Sequence, residues 1–277
     1  MITKCLFPVA GYGTRFLPAT KSMPKEMLPV VNKPLVQYGV EEAIEAGMLN
    51  CALVTGRGKR AIADHFDISY ELEHQIAGSE KEQYLESIRD VIDRGVFTMV
   101  RQRAMLGLGH AILTGEPLIG DQPFGVVLSD DLCLNGRGPG VLAQMAALYE
   151  EFQCSIVAVQ EVPMADIEQY GVVAGAPERE GLTRVTAMVE KPPREEAPSN
   201  LAVIGRYILT PDIFDIIRNT PPGRNGEVQL TDALQVQASQ GRVLAYQFQG
   251  QRFDCGSVPG FVEATQHVYE HYYGRDK

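Results

Sequence analysis

The sequence predicts an α/β fold: a mostly parallel mixed sheet covered by helices on both faces, with a smaller antiparallel addition in its second half. Three observations predict it. Apolar runs of strand length recur along the first half, segments of helical period separate them, and beyond about Val162 the runs are joined by connections rich in Pro and Gly. The first-half strands are Cys5 to Ala10, Cys51 to Thr55, Val96 to Val100, Gly125 to Ser129 and Cys154 to Glu161, apolar on both faces as strands buried between helix layers must be. Between the first two, Leu35, Tyr38, Gly39, Glu42, Ala43 and Ala46 lie at helical spacing and stop near Gly47. In the second half Tyr170 to Ala174, Leu182 to Glu190 and Leu201 to Leu209 read as strands. The loops Pro192 to Pro198 and Pro221 to Gly226 are polar and open to movement, and Leu230 to Gln240 and Phe261 to Tyr273 read as amphipathic helices, the second closing the chain. No internal repeat or low-complexity tract divides the sequence, so one domain is expected over residues 1–277, with parts at about 1–161 and 162–255 and a closing helix at 256–277.

Composition excludes several classes. The chain is 45% hydrophobic and 22% charged, and its 277 residues suffice to bury a core without disulfides. Apolar stretches such as Val126 to Leu128 and Ile156 to Val159 fall far short of the roughly 20 residues of a membrane-spanning helix. The N-terminus runs directly into the first strand without the pattern of a secretory signal, so a cytoplasmic chain with no membrane partner is expected. Cys5, Cys51, Cys133, Cys154 and Cys255 are odd in number and never paired as C-x-x-C, which reads as reduced thiols. The net charge of −10 repels a polyphosphate backbone, so no nucleic acid is expected. Base is nonetheless concentrated locally: up to Lys33 the chain carries Lys4, Arg15, Lys21, Lys25 and Lys33 against Glu26 alone. Such a segment suits one small anion, or is simply a solvated basic face.

The first strand ends in Ala10-Gly11-Tyr12-Gly13-Thr14-Arg15. Glycines placed directly after a strand let backbone N–H groups approach a phosphate with no side chain in the way. A dinucleotide fingerprint would need glycine at position 16, which is Phe16, and the Gly-Lys-Ser/Thr ending of a P-loop does not occur. Pro24-Lys25-Glu26-Met27-Leu28-Pro29 then places a lysine between prolines that hold it on a stiff, extended support, from which it can project toward the same phosphates as Arg15. Farther along, Ser129-Asp130-Asp131 puts two carboxylates at a strand end, where hard oxygen ligands suit Mg²⁺. His65, His74, His110, His267 and His271 show no H-E-x-x-H spacing, and no G-x-S-x-G elbow appears, so a hydrolase is not indicated.

Together Gly11 to Arg15, Pro24 to Pro29 and Lys33-Pro34-Leu35 resemble the opening of the nucleotide-diphosphate-sugar pyrophosphorylases, and closely that of the bacterial UTP–glucose-1-phosphate uridylyltransferases. Further matches follow in order: Gly107-Leu108-Gly109-His110-Ala111, Tyr170 to Val173, Val189 to Pro192, Ala197 to Ala202, Gly205-Arg206-Tyr207, Gly226 to Ala233 and Asp254-Cys255-Gly256. They span nearly the whole chain. The resemblance implies a Rossmann-like fold whose first part binds nucleotide and whose antiparallel lobe binds sugar phosphate. It implies Ala10, Gly11, Gly13, Thr14 and Glu26 at the nucleotide, with Gln102 and Gly107 edging the uracil; an amide and bare backbone can offer a pyrimidine both donor and acceptor. Gly107 and Gly109 read equally well as a helix-entry turn. Arg15 and Lys25 would be catalytic cations on the triphosphate. Glu190 and Gly171 would hold the sugar and Lys191 its phosphate, although Glu190-Lys191 could equally be an exposed charge pair. Asp130 matches the metal-binding aspartate, with Asp131 beside it as the other candidate. Asp254 matches a second acid near the metal, or caps the turn into Gly256.

The implied reaction joins UTP and glucose 1-phosphate into UDP-glucose and pyrophosphate with Mg²⁺ as cofactor, in a homo-oligomer, dimer or tetramer. Its nucleophile is already an anion at neutral pH, so cations and positioning are needed rather than a general base. Two alternatives stand beside it: a sibling nucleotidyltransferase for another triphosphate or sugar 1-phosphate, and a non-catalytic sensor of nucleotide sugars.

Overall fold

The computed structural model describes residues 1–223 and 226–273. In the first half β1 (Lys4–Val9) leads through a loop to the short hairpin β2 (Pro29–Val30) and β3 (Lys33–Pro34), then to α1 (Leu35–Glu45) and β4 (Asn50–Thr55). Three helices, α2 (Arg60–His65), α3 (Tyr70–Ile76) and α4 (Glu86–Arg94), precede β5 (Val96–Arg101). Next come α5 (Gly107–Ile119), β6 (Phe124–Val127), β7 (Asp131–Leu134), α6 (Val141–Phe152) and β8 (Ser155–Glu161). The second half holds β9 (Gly171–Arg179), β10 (Leu182–Glu190), β11 (Leu201–Leu209), α7 (Ile213–Asn219), α8 (Leu230–Ser239), β12 (Val243–Gln247), β13 (Gln251–Asp254) and α9 (Val258–Val268), which runs into a π-helical turn at Tyr269–Tyr273. The last four residues of the expected closing helix, and Arg224 and Asn225 of the expected loop, lie outside the described residues.

One sheet of nine strands, in the order β5-β4-β1-β6-β11-β8-β12-β10-β9, runs through both halves. Strands β5, β4, β1 and β6 are parallel, β11 lies antiparallel between β6 and β8, and β9–β10 is an antiparallel hairpin at the edge. The antiparallel addition is therefore an extension of the central sheet. It also contains a parallel pair, β8 with β12, which the sequence reading did not foresee. Along β1, Cys5, Phe7 and Val9 face one apolar layer with α1 and α6, while Leu6 faces the other with α5, α7 and α8. Such alternation is what a strand buried on both faces produces. The carboxyl ends of β1 and β6 thus open on one edge of the sheet, where ligands of such folds bind. A separate ribbon, β7 with β13, brings Asp131 opposite Asp254 at that edge. Ser257 caps α9 by accepting the Gly260 N–H, with Pro259 in the first turn. No described helix is long and apolar enough to cross a membrane.

Candidate functional site

The loop after β1 closes against the lysine that follows it. Gly13 adopts φ +66°, and its carbonyl accepts from Phe16 N–H at 3.0 Å and from the Thr20 hydroxyl at 2.7 Å. A Cβ at Gly13 would lie 2.9 Å from Lys25 Cβ, so glycine is needed both for the turn and for the close approach. Lys25 itself is not on extended backbone: Lys25–Met27 forms a 3₁₀ turn between Pro24 and an extended Leu28. The prolines flank a turn that aims the side chain inward, and Lys25 Nζ meets Asp130 Oδ2 at 2.5 Å. Burial alone would lower the lysine's pKa, but Asp130 and Glu26 outweigh it and hold it above the ordinary value. Arg15 Nη1 donates to the Gly256 carbonyl at 3.0 Å.

The two neighbouring aspartates divide their contacts. Asp130 sits in the turn between β6 and β7, and Asp131 opens β7. Asp131 Oδ1 accepts from Arg252 Nε, and its Oδ2 accepts from Gly205 N–H at 2.9 Å. Gly205 permits this approach, because a Cβ there would stand 2.7 Å from Asp131 Oδ2. Asp130 turns toward Lys25. Burial pushes its carboxyl upward, yet the Lys25 ion pair and Arg15 hold it below the ordinary carboxylate range. Asp254 Oδ1 accepts the Gly256 N–H at 3.0 Å, so it does cap that turn. Its carboxylate also converges with Asp130: a Cβ at Gly256 would lie 3.0 Å from Asp254 Oδ1, 3.1 Å from Asp130 Oδ2 and 3.2 Å from Arg15 Nη1. From behind, the buried Arg206 donates to the carbonyls of Asp131 at 2.9 Å and Leu128 at 3.3 Å. Arg206 is anchored in turn by Glu42 of α1 at 2.8 Å.

At the far side, strand pairing sets Glu190 opposite Gly171. Glu190 Oε2 accepts from the Thr231 hydroxyl at 2.6 Å, which fixes the carboxylate. Lys191 has φ +45°, donates its N–H to the Tyr170 carbonyl at 3.0 Å, and leaves its side chain 59% exposed with Nζ 3.5 Å from Glu190 Oε1. It is free to reach a ligand. On the base side, the N-terminus of α5 begins at Gly107, and the Gln102 amide contacts His110 Nδ1 at 2.8 Å. Gly107 and Gly109 do form the helix-entry turn: Gly109 N–H donates to the Val228 carbonyl at 2.9 Å, and Val228 N–H donates to Leu106 at 2.8 Å.

A single cleft of about 720 Å³ joins these groups, reaching Arg15, Gly107, Asp130, Asp254, Gly171, Glu190 and Lys191. Seven expected residues are absent from its walls: Ala10, Gly11, Gly13 and Thr14 of the loop after β1, Lys25, which reaches the cleft only through its pairing with Asp130, and Glu26 and Gln102. Glu26 is 2% exposed and pairs with Lys59 at 2.7 Å, so its carboxylate supports the Lys25 turn from within. Gln102 is also buried, behind Gly107. Arg252, Tyr170 and Thr231 also line the cleft; the last two fall within matched motifs but are given no role there, and Arg252 falls within none.

The nucleotidyl transferase family model matches residues 8–271. The chain belongs to the nucleotidyl transferase family. One member, the UTP–glucose-1-phosphate uridylyltransferase of Pseudomonas aeruginosa, is 66% identical over 277 residues, covering 100% of this chain and 99% of that one. The Bacillus subtilis protein of the same name is 45% identical over 264 residues, covering 95% and 90%. A crystal structure of apo UDP-glucose pyrophosphorylase superposes with TM-score 0.95 at 60% identity, covering 98% of this chain and 99% of that one. One complexed with UDP-glucose gives 0.91 at 57% identity over the same shares. The mixed sheet flanked by helices, extended by antiparallel strands, is thus the architecture of this group. Lys25 is paired with Asp130, and Arg15 and Lys191 line the same cleft as that carboxylate.

Proposed function

We propose that this chain catalyses transfer of the uridylyl group of UTP to glucose 1-phosphate, giving UDP-glucose and pyrophosphate. The observation that carries the reading is the continuous cleft running from Arg15, past Asp130 and Asp254, to Glu190 and Lys191. The names of the Pseudomonas and Bacillus relatives, and the UDP-glucose of the superposed complex, support the identity of the two substrates.

In this reading residues 1–161 bind nucleotide and 162–255 bind sugar phosphate. Backbone groups from Ala10 to Thr14 cradle the triphosphate, with Arg15 and Lys25 on its charged oxygens. Gln102, held behind Gly107, orders the turn that edges the uracil, and Glu26 acts indirectly by fixing the Lys25 turn against Lys59. Gly171 and Glu190 hold the sugar, the latter set by Thr231, while exposed Lys191 closes on the sugar phosphate. A phosphate oxygen of glucose 1-phosphate forms a bond to the α-phosphorus as the bond from that phosphorus to the bridging oxygen of pyrophosphate breaks. No proton need be removed. The barrier is the approach of two anions: unit charges about 4 Å apart interact by about 1 kcal/mol in water and about 4 at an effective dielectric near 20. Lys191 and Lys25 offset that repulsion, and Arg15 with Lys25 stabilises the charge that builds on the leaving group.

Asp130 and Asp254 fit a magnesium site. Both carboxylates lie beside Gly256 and line the same cleft, and Mg²⁺ characteristically takes one or two carboxylates together with substrate phosphates. When bound there, Mg²⁺ would neutralise phosphate charge. Both oxygens of Asp131 are engaged by Arg252 and Gly205, whereas Asp130 is engaged through Oδ2 by Lys25, which supports Asp130 as the ligand of the pair. Pyrophosphate release should require UTP, glucose 1-phosphate and Mg²⁺ together, and a panel of other triphosphates and sugar phosphates should be slower. UDP-glucose binding without pyrophosphate release would instead indicate a sensor.

A further inference from the structure

Among the described residues, Arg252 is the guanidinium of the cleft whose arms reach toward both ends of the proposed reaction, and no sequence motif drew attention to it. It lies on β13 with its side chain 10% exposed. Nε donates to Asp131 Oδ1, and Nη2 stands 3.9 Å from Asp254 Oδ1, so one side of the fork addresses the backbone neighbour of Asp130 and the second acid of the magnesium site. On the other side Nη1 donates to the Tyr170 hydroxyl at 3.1 Å, and the guanidinium carbon sits 5.2 Å from the centroid of the same ring. Tyr170 is not a bystander. Its carbonyl accepts the Lys191 N–H at 3.0 Å, the contact that accompanies the left-handed backbone at Lys191. The side chain and main chain of Tyr170 therefore join Arg252 to the lysine assigned to the sugar phosphate.

We infer that Arg252 is a positioning residue that couples the carboxylates of the magnesium site to the sugar-phosphate clamp, through Asp131 and Asp254 on one arm and Tyr170 on the other. The inference rests on the reaction proposed above. A planar fork with five donors can serve an acid and a phenol in fixed directions at once, whereas the ammonium of a lysine is a single point charge on a flexible stem. Charge balance alone would need only a cation near Asp131. The stacked and hydrogen-bonded tyrosine is what a neutralising role leaves without purpose, and what a coupling role requires.

The two roles part under substitution. Arg252→Lys keeps the charge beside Asp131 and loses the second arm; Tyr170→Phe keeps the ring and removes only the hydroxyl. Tyr170→Phe should raise KM for glucose 1-phosphate several-fold while leaving KM for UTP and the Mg²⁺ concentration for half-maximal rate unchanged. Arg252→Lys should raise both KM for glucose 1-phosphate and that Mg²⁺ requirement roughly 10-fold, the scale seen when a partner behind a metal ligand is lost. In the double variant the glucose 1-phosphate effect should not exceed that of Arg252→Lys, because the two changes cut one chain of contacts. Titration calorimetry with UDP-glucose in the absence of metal gives a readout independent of turnover, and both single variants should bind more weakly than wild type. A fall in kcat with every KM and the UDP-glucose affinity unchanged would overturn the inference, as would fully additive effects in the double variant. Should Arg252→Lys fail to fold, an unaltered glucose 1-phosphate KM in Tyr170→Phe is sufficient to overturn it. If the wild-type protein makes no UDP-glucose, the reaction assignment fails first and takes this inference with it.

Discussion

Lys191 holds its backbone at φ +45°, a region that costs a residue with a Cβ about 1 to 2 kcal/mol. Strain of this kind persists where the surroundings fix it, and it gathers at functional sites. Lys191→Gly should therefore melt above Lys191→Ala, and both should raise KM for glucose 1-phosphate far more than KM for UTP; equal melting temperatures would remove strain from the account. The Lys25–Asp130 pair makes a second prediction. Asp130 is held below its ordinary pKa, so its contribution to stability is present above about pH 4 and is lost as pH falls through the lowered native value. Lys25 is held above its ordinary pKa, so its contribution is present below about pH 10 and is lost as pH rises through the raised value. Thermal melts from pH 3 to 11 should show Lys25→Met losing most stability relative to wild type between those limits, with the difference shrinking beyond them as pH approaches the lowered Asp130 value or the raised Lys25 value. The motifs identified both partners, but not the bond between them. Adjacent aspartates at a strand end look alike in sequence, and only the turn from β6 into β7 sends Asp130 to Lys25 and Asp131 to Arg252. Arg252 escaped notice because an arginine two positions before an acid carries no periodic or spacing signal.

The N-terminus of α5 is seated by two backbone hydrogen bonds against Val228, and a Cβ added at Gly109 would meet the Val228 carbonyl at 2.8 Å and Val228 Cγ1 at 3.0 Å. Backbone cannot yield as a side-chain tip can, so Gly109→Ala should cost about 1 to 3 kcal/mol in chemical denaturation. It should raise KM for UTP more than KM for glucose 1-phosphate, since the displaced turn carries Gly107; a parental UTP KM would detach this turn from uracil recognition. Here the sequence offered two readings of the glycines, and the packing supports the helix-entry turn. Other elements were legible because their signal is local. The apolar runs of β1, β4, β5 and β8 and the strand-like β10 and β11 declared themselves, although β5, at the sheet edge, is largely exposed rather than buried on both faces. The parallel partnership of β8 and β12 was not legible, because two strands separated by some 80 residues leave no trace of their pairing in either local pattern. Nor did α5 stand out, with three glycines and Pro117 inside it.

Arg206 and Glu42, 1% and 8% exposed, tie α1 and β11 together. Glu42 also accepts the Leu142 N–H of α6 at 2.9 Å, and Arg206 reaches the carbonyls beneath the Asp130 turn. Removing one partner leaves a buried charge alone, so Arg206→Met should lower unfolding free energy by about 3 to 5 kcal/mol, whereas adding Glu42→Leu should restore much of it. Activity should not return with stability, because the carbonyls of Leu128 and Asp131 still lack their donor; a fully active double variant would show that this support is dispensable. Glu42 was read as one position in the periodicity of α1, which is correct and yet silent about an ion pair spanning 164 residues. Across the whole molecule β11 has the widest reach, bonded to β6, β8 and β9 within one sheet. The proposed nucleotide and sugar ends thus stand on a common plank rather than on opposing jaws. A shift of one end relative to the other would have to bend or break strand pairing along β11, whereas a rim side chain such as that of Lys191 can adjust without disturbing it.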